Sequence, residues 1–141
     1  MDDYTAADAE QLRLAVGKFV RRVRSADTMP AGQAAVLGHL RRDGPLAIVA
    51  LAEREQVRHQ TMARTVKLLT DQGLVDVSPD PDDRRRVVVT LSARGDARLD
   101  AEQAGRAEWI ARAAQVALTA HERAVLRRFP AVLDKLIAGS G

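Results

Sequence analysis

The chain has 141 residues, a formal net charge of +3 and no cysteine. That length suits one domain of ordinary size, and the missing thiols exclude disulfides, thiolate zinc sites and thiol redox sensing within it. Aromatic residues make up 3% of the chain, so alanine, leucine and valine must build the core, which favours packed helices over a β-sandwich.

The start, Met1-Asp2-Asp3-Tyr4, is acidic and lacks the apolar stretch of a secretory leader. The longest apolar run, Leu46 to Ala52, is too short to span a bilayer. A soluble, cytoplasmic protein with no membrane partner is the expectation. From Asp8 to about Arg24, Leu12, Val16, Phe19, Val20 and Val23 recur at helical spacing, with Arg13, Lys18, Arg21 and Arg22 mostly opposite, which predicts a first amphipathic helix. Pro30 opens a second helix carrying Val36, Leu37 and Leu40, and Gly44-Pro45 ends it.

Leu46 to Gln56 reads as a short third helix, and Val57 to Gln72 as a fourth that stops at Gly73. The short gap between them is that of a helix-turn-helix. In the fourth, Val57, Met62, Val66 and Leu69 form an inward stripe, while Arg58, His59, Gln60, Thr61, Arg64 and Lys67 gather on and around the amino-terminal half. No acidic residue interrupts Arg58 to Leu69. Such a helix suits the DNA major groove, where arginine can pair with guanine and glutamine with adenine; in isolation it would equally be a solvated helix face.

After Gly73 the period changes to two. Leu74, Val75 and Val77 form one strand and Val87 to Leu91 a second, joined by the charged turn Pro79 to Arg86. Two strands after a helix-turn-helix make a wing. Its loop sets Asp80, Asp82 and Asp83 against Arg84, Arg85 and Arg86, so it is not a simple basic patch. Asp83 reads as the partner that positions Arg85, and Arg85 as the tip residue able to enter a minor groove.

From Ser92 a long helix carries Leu99, Ala104, Trp109, Ile110 and Ala113. Thr119-Ala120-His121-Glu122 has the form of a capping box and restarts a helix with Val125, Leu126, Phe129, Val132, Leu133 and Leu136, which Pro130 is expected to kink or split. The expected fold is mainly α with a small two-stranded β-wing. A winged helix-turn-helix lobe at about 30–91 is flanked by helices at about 8–25 and 92–138, all in one domain over 1–141. The lobe is too small to bury the stripes of the flanking helices, so pairing with a second copy is the economical arrangement. Leu12, Val16, Phe19, Leu126, Phe129, Leu133 and Leu136 are the interface candidates.

The residues now in hand resemble the MarR family of bacterial winged-helix regulators. The resemblance runs through Gly44-Pro45-Leu46, Leu51-Ala52-Glu53 and Gly73-Leu74-Val75. It is most specific in Asp80-Pro81-Asp82-Asp83-Arg84-Arg85 followed by Leu91-Ser92-Ala93-Arg94-Gly95. It implies a homodimer on a pseudo-palindromic double-stranded DNA operator, usually a repressor relieved by a small ligand of aromatic or lipophilic kind. It also implies that the helix near Arg58 reads the major groove and that Asp83 and Arg85 serve the wing. Ala47, Arg58 and Ala63 stand where the family commonly has hydroxyl residues, which shifts the expected reading onto Arg58, Gln60 and Arg64.

The resemblance also implies a ligand cleft between the flanking helices and the lobe, for which Phe19, Arg22, Met29, His39 and Trp109 are the candidates, although ordinary core or surface is the favoured reading of each. His39, His59 and His121 are too widely spaced for a recognisable zinc site. No metal or cofactor is expected. The chain lacks phosphate-loop, dinucleotide, nucleophile-elbow and zinc-protease motifs, so no enzyme is expected either. The competing reading is a winged-helix module for non-specific nucleic-acid packaging or for protein contacts.

Overall fold

The computed structural model describes residues 2–141 and contains six helices and three short strands. Helix α1 spans Ala6–Arg24, α2 Ala31–Asp43, α3 Ile48–Glu55, α4 His59–Asp71, α5 Ala93–Ala117 and α6 Ala120–Ala138. Strand β1 is Leu46–Ala47, β2 Val75–Pro79 and β3 Val87–Leu91, and all pair antiparallel in the order β1-β3-β2.

The core lies under the helix-turn-helix. Val36, Leu37 and Leu40 of α2 meet Leu51 and Ala52 of α3, Met62, Val66 and Leu69 of α4, and Val75 and Val89 at the base of the wing; Leu99 of α5 completes the cluster. These are the i, i+3, i+4 positions of three amphipathic helices and the inward positions of two strands, so local period and burial agree.

Helix ends follow from local chemistry. Thr5 caps α1 in a reciprocal box with Asp8, so the helix begins before the first residue of the apolar pattern. Thr119 and Glu122 make the same box for α6 as the sequence predicts. Gly73, at a φ of 74°, closes α4 in the left-handed region. Ser92 caps α5, and its hydroxyl donates to the Gly73 carbonyl at 2.7 Å, tying the end of the wing to the end of α4. Gly95 packs at the same joint: a Cβ there would lie 2.0 Å from the Leu74 carbonyl oxygen.

Four local expectations change. Leu46 and Ala47 are not the start of a helix but a two-residue strand, pairing with Val89 and Val88. The free edge of β3 captures them, so the two-stranded wing gains a third strand at its base. Val57 is outside α4 and 39% exposed rather than in the inward stripe, because Gln56 turns left-handed at φ 54° and the Val57 amide closes back on the Ala52 carbonyl at 3.0 Å. Arg58 accordingly sits at the N-cap, in extended conformation. Finally, α6 runs unsplit through Pro130; one proline removes a single backbone donor, which the rest of the helix tolerates here.

Candidate nucleic-acid interface

The exposed side of α4 is built by the same period that buries Met62, Val66 and Leu69. Arg58, His59, Gln60, Thr61, Arg64 and Lys67 are all exposed. Among the described residues Arg58 and Arg64 have no ion-pair partner, while Lys67 reaches Asp71 at 3.4 Å. The first turn carries neither an acidic residue nor a side-chain cap. Its free backbone N–H groups and the positive end of the helix dipole therefore favour an anion. The Thr65 hydroxyl donates back to the Thr61 carbonyl at 3.1 Å and is spent within the helix.

The wing loop is held by its acids. The Asp80 amide donates to the Arg86 carbonyl and the Arg86 amide to the Asp83 carbonyl, each at 2.9 Å, closing the turn. The Asp80 carboxylate accepts from the Asp82 amide at 2.9 Å. One Asp83 oxygen accepts from the Arg85 amide at 3.1 Å and from Arg85 Nε at 3.3 Å. The Arg85 side chain is 92% exposed while that of Asp83 is 35% exposed. Asp80 and Asp83 thus hold the loop backbone, and Arg84, Arg85 and Arg86 face solvent. A guanidinium whose Nε is pre-bonded loses less freedom when its outer nitrogens meet phosphate or a base edge.

The two elements share one foundation. α4 enters the core through Met62, Val66 and Leu69, and the wing through Val75 and Val89. Their relative position is set by close-packed contacts, not by loops.

The five residues considered for a ligand cleft do not share one cavity, and only Arg22 and Trp109 are brought against each other. Met29 is in the lobe core at 6% exposure, Phe19 is about half exposed, and the Arg22 guanidinium lies 5.0 Å from the centre of the Trp109 ring. Only His39 lines a cavity of about 460 Å³. That cavity opens between the end of α1, α2 and α5, with Arg24, Arg42, Glu55 and Gln103 among its walls. His39 Nε2 donates to Glu55 at 2.5 Å, and Arg42 donates to His39 Nδ1 at 3.2 Å. Arg42 and Glu55 went unnoticed in the sequence, where each looks like an ordinary charge on a helix surface.

None of the interface candidates on α1 and α6 is fully buried. Leu12, Val16, Phe129 and Leu133 are half-buried, Phe19, Leu126 and Leu136 are exposed, and α6 has no buried residue. No helix is long and apolar enough to cross a membrane among the described residues.

Comparison with known proteins finds similarity along nearly the whole chain. Residues 27–86 match the model of the MarR family. An HTH-type transcriptional regulator of Mycobacterium bovis is 35% identical over 130 residues, 90% of each chain. The HTH-type transcriptional repressor NicR of Pseudomonas putida is 42% identical over 62 residues, 44% of this chain and 39% of its own. Among solved structures, Bordetella bronchiseptica BpsR, described for regulation of its DNA binding by 6-hydroxynicotinic acid, superposes with a TM-score of 0.56. The identity is 26%, over 94% of this chain and 98% of that one.

Proposed function

The chain belongs to the MarR family and is a DNA-binding transcriptional regulator, not an enzyme; from that premise we propose that it is a cytoplasmic homodimeric repressor of a pseudo-palindromic operator, relieved by a small ligand. The observation that carries the proposal is the exposed face of α4, where Arg58, Gln60 and Arg64 stand with no acidic neighbour in the first turn. In this reading α4 enters the major groove. Arg58, Gln60 and Arg64 meet base edges, His59, Thr61 and Lys67 support them, and Asp83 sets Arg85 for the adjacent minor groove with Arg84 and Arg86 on phosphates.

The dimer reading is supported by the exposed apolar positions of α1 and α6. α6 is a 19-residue amphipathic helix with no fully buried residue, and helices in proteins draw most of their stability from packing an apolar face. A second copy laying its own α1 and α6 against these would cover Phe19, Leu126, Leu133 and Leu136 and complete one domain over the whole chain. Two lobes on one duplex would then read two half-sites about one helical turn apart. Repression is supported by the likeness to NicR, and relief by a small ligand by the likeness to BpsR. The cavity beside His39, between lobe and flanking helices, is of a size for such a ligand.

The test is binding to the DNA immediately upstream of the protein's own gene against scrambled duplex, at two salt concentrations. A preference on the order of 10³-fold is expected. Equal affinity with only a steep salt dependence would instead mark a packaging protein that contacts phosphates alone.

A further inference from the structure

Glu102 is the one charged residue that is buried among the described residues, with 5% of its surface exposed. It sits on α5, just beyond the point where that helix leaves the lobe core at Leu99. Both carboxylate oxygens accept from the Thr28 amide at 3.2 Å, and one also accepts from the Thr28 hydroxyl. Arg98 donates to the same carboxylate at 2.7 Å and, through its other nitrogen, to the Thr28 oxygen at 2.8 Å. The three side chains form a closed ring in which the threonine hydroxyl donates to Glu102 and accepts from Arg98. One helical turn further along α5, Arg106 holds Asp27 with two bonds of 2.7 and 2.8 Å.

The ring joins the two routes by which the chain leaves the lobe. One is the connector between α1 and α2, where Met29 is anchored in the core directly after Thr28. The other is α5 itself. Beyond this point apolar packing says little about direction: Val23 is the sole buried residue of α1 and α6 has none. Burying a charge is a poor route to stability, since an apolar group of similar volume often serves as well. Its use here is geometric, because a ring of charge-assisted bonds has one arrangement where small aliphatic contacts allow several.

We infer that Thr28, Arg98 and Glu102 are a clasp that sets the angle between α1 and the DNA-reading lobe, making them positioning residues for the reading of two half-sites at one spacing. The inference rests on the dimeric reading of DNA proposed above. Opening the clasp leaves the lobe folded and its α4 face unchanged, but lets the lobe swing against the dimer helices.

Thr28 offers the cleanest test. Thr28→Val keeps the shape and removes the hydroxyl, Thr28→Ser restores it, and Glu102→Gln gives a second break in the ring. Because the chain has no cysteine, spin labels at Gln11→Cys on α1 and Glu53→Cys on α3 report one intrachain distance when labelled chains are diluted with unlabelled ones. Wild type and Thr28→Ser should give a narrow distribution, and Thr28→Val and Glu102→Gln a broad one. Binding is measured in parallel to a two-half-site duplex selected from a random pool by the wild type. Inserting one base pair between the half-sites turns them by about 35°, and the resulting loss of affinity should shrink about tenfold in Thr28→Val but not in Thr28→Ser. An unchanged distribution and an unchanged insertion penalty in Thr28→Val would overturn the clasp. A broadened distribution in a protein whose wild type shows no preference for spacing would uphold the clasp and overturn the two-half-site reading.

Discussion

The winged lobe and the terminal helices are built from the same small aliphatic residues, yet one completes its core and the other does not. In the lobe, α2, α3, α4, the sheet and Leu99 close around Leu37, Leu51 and Leu69, all at 0% exposure. In α6, Val125, Val132, Leu136 and Ile137 are each more than half exposed. Amphipathic period alone therefore does not say where a stripe is buried. The lobe satisfies its stripes internally, and the terminal helices leave much of theirs exposed.

Paired truncations of one residue type sharpen that contrast most. Leu51→Ala should destabilise the lobe by about 2–5 kcal/mol, measured by urea unfolding. Leu136→Ala, at a position 59% exposed, should leave unfolding of the single chain nearly unchanged and weaken self-association. Equal losses of chain stability would erase the distinction. Gly95→Ala probes the joint between the two regions: its Cβ would collide with the Leu74 carbonyl, and a loss of about 1–3 kcal/mol is expected in the same assay.

Arg64→Ala probes the reading face proposed for the lobe. It should weaken binding to the selected operator by about 1–3 kcal/mol and relax base choice at one position in each half-site. Its thermal unfolding should match wild type. Loss of stability without loss of base preference would remove Arg64 from the reading face.

The smallest effect expected is that of acid on the ties between the regions. The bidentate bond from Arg106 holds the Asp27 carboxyl below the ordinary range against some burial. For Glu102, burial pushes upward, but the bonds from Thr28 and Arg98 together outweigh it and the carboxyl also lies low. Carboxyls depressed in the folded state bind protons first when unfolded. Their contribution is complete above the ordinary carboxylate range at about pH 4 and is lost as pH falls through the lowered folded values. Urea midpoints measured downward from neutral pH should therefore fall less steeply in Asp27→Asn than in wild type.

Much of the lobe was legible in the sequence, because period, glycine stops and the charged turn each acted locally. The exposure of Arg58, Gln60 and Arg64 follows from the same period that buries Met62 and Val66. Strand β1 was not legible, since two residues carry no period and Leu46 becomes a strand only through Val89. Nor was the left-handed Gln56, a conformation that glycine or asparagine would have signalled. The clasp was hidden for a different reason. Arg98 and Glu102 look like an ordinary i, i+4 surface pair, and Thr28, which completes the ring, is 74 residues from Glu102 in the chain.

The central claim is that a second copy covers the terminal helices, so that two lobes address one duplex. The most direct measurement is the mass of the protein in solution by sedimentation equilibrium. Twice the 15.3 kDa of one chain is the predicted result. A stable species of one chain, with α1 and α6 left bare, would contradict it.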